Sequence, residues 1–152
     1  METETFLSTM PHAMIVEDES ALSEVYKMAL TQAGYFVQTF NNGIDAAEHL
    51  KKVSPRLILL DLNLPGASGE EILRSIKDVP AHQDTKIFLL TSNARMGRHL
   101  AGEVDILLEK PVRCRLLYRL AEKFKPQRSQ PKLESSPNLN PISHSSFGFS
   151  SY

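Results

Sequence analysis

Five short apolar runs, residues 13–16, 35–40, 57–60, 87–90 and 105–108, recur along the chain and are separated by longer, mostly amphipathic stretches. That alternation leaves few folds open. Consecutive strands separated by helix-length segments pair in parallel, because parallel neighbours need crossover connections and those crossovers are usually helices. Two of the runs, 57–60 and 87–90, are apolar at every position, as expected of strands buried on both faces. Between the first two runs, Ser20 precedes a helical stripe of Leu22, Val25, Tyr26, Ala29 and Leu30, with Ser20 as the expected N-cap and Gly34 as the stop. Ile44, Ala47 and Leu50 share a face within 43–53, and Ile72, Leu73 and Ile76 do so within 68–78. Leu116, Leu117, Leu120 and Phe124 form the last stripe. The pattern predicts an α/β fold: a doubly wound parallel sheet of five strands covered on both faces.

With 152 residues and 41% hydrophobic content the chain fits one domain. A chain of that size buries roughly 68–70% of its unfolded surface, so stability requires neither metal nor disulfide. The one cysteine, Cys114, excludes an intrachain bridge. Lys and Arg number 17 against 18 Asp and Glu, and the resulting charge of −1 gives no global argument for a nucleic-acid or anionic-membrane partner. Residues 1–10 are read as an N-terminal extension; they hold two glutamates and lack the basic start and apolar run of a secretory signal. No segment has the apolar length of a membrane span, and the protein is read as cytoplasmic. After Lys125 the composition shifts to Ser, Pro and Asn, so the domain is set at 11–125 and 126–152 is expected to be a disordered tail. In that tail Phe147, Phe149 and Tyr152 are available to dock on a partner.

In open sheets of this kind ligands bind beyond the carboxyl ends of the strands. There the chain carries Glu17 and Asp18 after the first run, Asp61 after the third, Thr91 and Ser92 after the fourth, and Glu109 with Lys110–Pro111 after the fifth. Three carboxylates, a hydroxyl and an ammonium thus converge on one edge. Magnesium takes oxygen ligands in octahedral geometry, commonly one or two carboxylates with phosphate oxygens, and Glu17, Asp18 and Asp61 offer that set. An aspartate is also a nucleophile toward phosphorus, with a neighbouring metal offsetting charge repulsion. Lys110 and Thr91 would hold the remaining phosphoryl oxygens. Taken singly, each of these residues is more often a turn, a cap or a solvated surface group. The conjunction at four strand ends is what points to phosphoryl chemistry.

These residues and their surroundings, MIVEDES, LILLDLNLPGASGEEIL, FLLTSNA and LLEKPV, resemble the receiver domain of two-component response regulators over residues 11–124. The resemblance implies a CheY-like fold of strand order 2-1-3-4-5. It makes Asp61 the acceptor of a phosphoryl group from a phosphohistidine on a sensor histidine kinase or histidine phosphotransfer protein. Magnesium would be held by Asp18, Asp61, the Asn63 carbonyl and, through water, Glu17. Lys110 would pair with the phosphoryl group, the Lys110–Pro111 bond would be cis, and Thr91 would swing toward the phosphate beside the small Ser92. Asn63 and Asn93 occupy the positions that tune phosphate lifetime, which implies dephosphorylation in minutes rather than days. On this reading the chain is not an enzyme beyond its own phosphorylation and dephosphorylation.

Two departures stand out. Leu107 takes the place where the family usually carries an aromatic, three residues before the lysine. Only 19 residues separate Thr91 from Lys110, and the intervening sequence has a weak stripe, so a short or irregular fourth helix is expected. Arg95, Arg98, Arg113, Arg115 and Arg119 gather near this segment and are read as a solvated face, with a basic docking patch as the alternative.

The leading reading is a stand-alone receiver, without an output domain, whose phosphorylation switches a surface for another, unidentified protein. Direct nucleic-acid or membrane binding is not expected, and the chain is read as a monomer or a phosphorylation-dependent dimer. The alternative is a pseudo-receiver that signals without phosphate. A phosphatase of the haloacid dehalogenase type ranks third, since that chemistry wants a second aspartate where Asn63 stands. Glycine-rich nucleotide motifs are absent. His12, His49, His82, His99 and His144 show no ligand spacing and are read as surface or boundary residues, and Cys114 as a packing residue.

Overall fold

The computed structural model describes residues 9–127. Its elements in order are β1 (His12–Val16), α1 (Ser20–Gln32), β2 (Phe36–Phe40), α2 (Gly43–Leu50), β3 (Leu57–Asp61), α3 (Gly69–Lys77), β4 (Lys86–Thr91), α4 (Ala94–Gly97), β5 (Ile106–Glu109) and α5 (Cys114–Phe124). Two 3-10 turns, Pro80–His82 and Arg98–Leu100, come after α3 and α4. The strands pair in parallel in the order β2-β1-β3-β4-β5. That is the doubly wound α/β topology expected from the pattern and the resemblance. The expected tail, with Phe147, Phe149, Tyr152 and His144, lies outside the described residues apart from 126–127, as do residues 1–8 of the extension.

The sheet divides the core in two. On one side Tyr26, Ala29 and Leu30 of α1 and Leu117 and Ala121 of α5 pack on Ile15, Leu59 and Phe88. On the other, Ala46 and Leu50 of α2 and Ile72, Leu73 and Ile76 of α3 pack on Met14, Ile58, Leu60 and Leu89. Every residue of β3 is buried, as its uninterrupted apolar run requires. Each fully buried Leu or Ile side chain contributes about 1.5–3 kcal/mol, so the central strands anchor the domain.

Several local expectations are corrected. Ser20 is the first residue of α1 rather than its cap; the N-cap is Glu19, whose side chain makes no capping bond and whose N–H donates to Glu17 Oε1 at 3.0 Å. Ser68 does cap α3, in a reciprocal capping box with Glu71. In α2 the inward face is Gly43, Ala46 and Leu50, which turns Ile44 out to 58% exposure. Val25 and Leu116 are likewise exposed. His82 is buried, its Nε2 3.1 Å from the Leu50 carbonyl, because the 3-10 turn folds it under the end of α2. Cys114 opens α5 and is exposed rather than packed. Gly34, at φ 86°, ends α1 in a left-handed conformation that favours glycine.

The fourth helix is a single turn that continues as 3-10, in line with the short interval. Leu100 is the apolar residue it buries, while Met96 is exposed. Gly97 lies so close to the sheet that a Cβ there would sit 2.9 Å from Leu107 Cδ1 and 3.3 Å from Thr91 Cγ2. Leu107 therefore packs against α4, in a space an aromatic ring would have to share with that glycine.

Candidate phosphoacceptor and metal site

Parallel strands end on the same edge, and β1, β3, β4 and β5 deliver Glu17, Asp18, Asp61, Thr91 and Lys110 to one cleft there. Carboxylate oxygens of Glu17, Asp18 and Asp61 all lie within 4.8 Å of one another. Glu17 and Asp61 are buried and Asp18 is exposed, so the cluster opens to solvent on the Asp18 side. Lys110 Nζ donates to Asp61 Oδ2 at 2.8 Å and stands 2.8 Å from Glu17 Oε2. The turn after β3 is drawn back on itself, with the Asn63 N–H donating to Asp61 Oδ1 at 3.0 Å.

Glycine permits that turn. A Cβ on Gly69 would collide with the Asp61 carbonyl oxygen and the Leu62 Cα, so α3 begins directly beneath Asp61 only because residue 69 has no side chain. The Lys110–Pro111 bond is cis, and the Lys110 N–H donates to the Thr91 carbonyl at 2.8 Å, tying the two strand ends together.

Burial pushes the Glu17 carboxyl above its ordinary range, against the lowering effects of Lys110 and the Glu19 N–H. Burial alone would lower Lys110, but its hydrogen bond to Asp61 and its ion pair with Glu17 outweigh that and hold the ammonium above its usual range. Tyr26, whose helical phase marked it only as an ordinary core residue, lies fully buried below the site and accepts the Val112 N–H at 3.4 Å. Burial raises its phenol, and the Glu17 charge adds to the effect.

The Thr91 hydroxyl is turned away from Asp61. It donates to the Asn93 carbonyl at 2.9 Å and accepts the Asn93 N–H at 3.1 Å. The Asn93 side chain caps α4 through the Arg95 N–H, and Asn63 Nδ2 reaches Ser92 Oγ at 3.4 Å. The geometry thus gathers Glu17, Asp18, Asp61 and Lys110 and leaves Thr91 and Asn93 bonded to each other at the rim.

The donor set suits a hard cation. All three side chains offer oxygen, and Glu17 Oε2 is buried without a well-directed hydrogen bond, its Lys110 contact being ionic in geometry. Among the described residues no other group of three His, Cys, Asp or Glu side chains converges in this way.

Residues 13–122 match the family profile of the response regulator receiver domain. The chain is 34% identical over 105 residues to the phosphate regulon transcriptional regulatory protein PhoB of Rhizobium meliloti, a match covering 67% of this chain and 46% of PhoB. Among solved structures it is similar to a CheY-like receiver domain from Methylobacillus flagellatus, with a TM-score of 0.69 at 24% identity over 77% of this chain and all of the other. It is also similar to the response regulator TrrA of Thermotoga maritima, solved in complex with Mg2+-BeF, with a TM-score of 0.67 at 28% identity over 76% of this chain and 99% of the other. The chain belongs to the response regulator receiver domain family of two-component systems. It spans half or less of the length of the curated relatives it matches, several of which are transcriptional regulators. No helix among the described residues is long and apolar enough to cross a membrane.

Proposed function

We propose that this domain is a phosphoacceptor switch in which Asp61 takes a phosphoryl group from a phosphohistidine on a sensor kinase or phosphotransfer protein. A carboxylate oxygen of Asp61 bonds to phosphorus as the phosphorus–nitrogen bond of the donor breaks and the imidazole leaves. Glu17, Asp18, Asp61 and the Asn63 carbonyl would hold magnesium, which when bound neutralises charge on the transferring phosphoryl group. Lys110, already between two carboxylates, moves its ammonium onto a phosphoryl oxygen without a long search. Thr91 exchanges its bonds with Asn93 for one to the phosphate, and the freed rim carries the change to α4 and β5. Asn63 and Asn93 govern access of water to the aspartyl phosphate, and the altered surface binds or releases a further protein.

One observation carries this reading: the ammonium of Lys110 lies 2.8 Å from both Asp61 and Glu17 at the mouth of a three-carboxylate cluster. A pseudo-receiver has no need of that assembly, and the dehalogenase alternative lacks its second aspartate because position 63 is Asn63.

The test is amide NMR with magnesium and a small phosphodonor or beryllofluoride, beside an Asp61→Asn control. The expected result is magnesium-dependent shifts around Asp61, Thr91 and Lys110 that are absent in the control. A folded sample indifferent to both reagents and to magnesium would make the phosphate-independent module the better account.

A further inference from the structure

The sheet has two open edges, and their sequences differ in charge. At one edge β5 is bounded by charged residues: Asp105 precedes it in an ion pair with Lys86 at 3.3 Å, and Glu109 and Lys110 stand at its end. Charges so placed keep an open strand from pairing with another chain. The opposite edge, β2, has no such protection. No charged residue occurs between Lys27 and Asp45, and the strand itself is Phe36, Val37, Gln38, Thr39 and Phe40, mostly aromatic and β-branched residues suited to a strand. Phe36 is 39% exposed, and Thr39 is exposed as well.

The Phe36 N–H donates to the Pro11 carbonyl, and the Phe40 carbonyl accepts the Glu17 N–H, both at 3.0 Å. In a parallel ladder alternate residues serve one neighbour, so Phe36, Gln38 and Phe40 bond β1, whereas Val37 and Thr39 turn their N–H and C=O to the open side. Antiparallel pairing of this edge with its own copy, centred on Gln38, sets Val37 of each copy opposite Thr39 of the other as the hydrogen-bonded pairs. Phe36 then faces Phe40 of the other copy, an aromatic cross-strand pair. Charge beside the edge fits the same arrangement. Glu24 of α1 lines a cleft with Thr39 and shares an outer face of the helix with Lys27 and Met28. Neither Glu24 nor Lys27 forms an ion pair with another described residue. A two-fold axis reverses α1, which turns the Glu24 end of one helix toward the Lys27 half of its copy.

We infer that β2 is a self-association edge, on which a second copy of this chain pairs antiparallel about a two-fold axis through Gln38, joining two domains into one continuous sheet. The occupant is a second copy because the edge is its own complement. The register that aligns the outward-facing groups of Val37 and Thr39 also opposes apolar side chains to one another, and it sets no like charges opposite each other along the strand. An isologous contact of this kind uses the same edge on both copies, so assembly closes at the dimer. The pairing draws on no residue of the Glu17, Asp18, Asp61 and Lys110 cluster and needs neither phosphate nor magnesium.

The test is sedimentation equilibrium of the full chain from micromolar to millimolar concentration, without magnesium or phosphodonor, for wild type, Asp61→Asn, Thr39→Pro, Lys27→Glu and the double variant Glu24→Lys with Lys27→Glu. The expected result is a reversible monomer–dimer equilibrium, unchanged by Asp61→Asn. Thr39→Pro removes an N–H that β1 does not use, which an edge strand tolerates, and should weaken the dimer by more than about tenfold. Lys27→Glu should weaken it severalfold, and the double variant should restore it. A wild-type chain that stays monomeric, a Thr39→Pro dimer of unaltered strength, or association that continues past the dimer overturns the assignment. Should Thr39→Pro fail to fold, oxidative cross-linking of Gln38→Cys on a Cys114→Ser background decides instead. Residues opposed in a non-hydrogen-bonded antiparallel pair hold their Cα atoms about 4.5 Å apart, within disulfide reach, so the Gln38→Cys chains should link in pairs. Leu116→Cys, at an exposed position on α5, should not link on the same background. Absence of linkage in Gln38→Cys refutes the edge, whatever the outcome at position 116.

Discussion

Replacing Lys110 with methionine keeps most of the side-chain volume and removes the one ammonium that lies between two buried carboxylates. The lysine side chain is 16% exposed, and those of Glu17 and Asp61 are 0% and 3% exposed. Removing one partner of such a group leaves uncompensated charge in a poorly solvated place, at a cost of about 3–5 kcal/mol. Domain stabilities run to about 5–15 kcal/mol, so this is a large share of the total. With a urea dependence of about 1.5–3 kcal/mol per molar, the unfolding midpoint should drop by roughly 1–3 M. The loss should also depend on pH in a defined direction. Burial already raises the Glu17 carboxyl, and the Lys110 ammonium beside it is the chief effect opposing that rise. Without the lysine, the native state of the variant holds a proton on Glu17 that the unfolded chain has released. Stability of the variant is therefore greatest near the ordinary carboxylate range and falls as pH rises through the raised value. The assay is urea unfolding of Lys110→Met and wild type with EDTA, at pH 5 and pH 8, repeated with millimolar magnesium. The gap between the two proteins should widen at pH 8 and narrow when magnesium replaces the missing positive charge. A loss under about 1 kcal/mol, or one equal at both pH values, would refute the idea that the ammonium offsets the buried acids.

The same geometry sets four further outcomes. Gly69→Ala forces a methyl group into the Asp61 and Leu62 backbone, so it should cost about 1–3 kcal/mol in urea unfolding and shift the Asn63 amide resonance; an unperturbed amide would contradict the contact. Thr91→Ala should still accept phosphate on Asp61 in a gel-shift assay, but the amide shifts of α4 and β5 on beryllofluoride addition should shrink; full propagation would exclude the hydroxyl from the switch. Substituting Asn63 by alanine should alter the half-life of the aspartyl phosphate severalfold, measured by loss of label, and an unchanged half-life would remove its role in admitting water. Tyr35, buried and donating to the Ala121 carbonyl at 2.9 Å, has its phenol pushed up to about 12 by burial. Above its ordinary value of about 10 the unfolded chain loses that proton while the native state keeps it, so stability falls by about 3 kcal/mol on the way to pH 12. Tyr35→Phe should flatten that alkaline slope in urea unfolding while costing about 1 kcal/mol at neutral pH, and an equally steep slope would show that another group carries it.

Local sequence was sufficient for features that depend on periodicity and on the residues at strand ends. The uninterrupted apolar runs at 57–60 and 87–90 read as strands buried on both faces, and parallel strands end on one edge, which brings the residues after them, Glu17, Asp18, Asp61, Thr91 and Lys110, to the same end of the sheet. The short α4 was legible too, because the weakly striped segment between Thr91 and Lys110 leaves little sequence for a regular helix. Helix phase was harder. Ile44 and Val25 satisfy an apolar period yet face solvent, because a stripe permits several rotations and only packing against the sheet selects one. The start of α1 at Ser20 with Glu19 as N-cap is hidden for a similar reason: Glu17 takes the Glu19 N–H, and that side-chain bond is invisible in a linear pattern.

Contacts between elements distant in sequence belonged to the tertiary structure alone. Periodicity says that Gly97, Leu107 and Thr91 lie on α4, β5 and β4, but not that the glycine backbone presses on the other two side chains. It marks Tyr26 as core, but not as the residue under the acidic site. His12 and His49 are far apart in the sequence, and their rings come edge-on within 6.0 Å, centre to centre, only because the β1–β2 register and the rotation of α2 bring them to the same corner of the sheet. The chemistry of each residue is written in the sequence, whereas whether two such residues share a volume is decided by packing, which depends on every element at once.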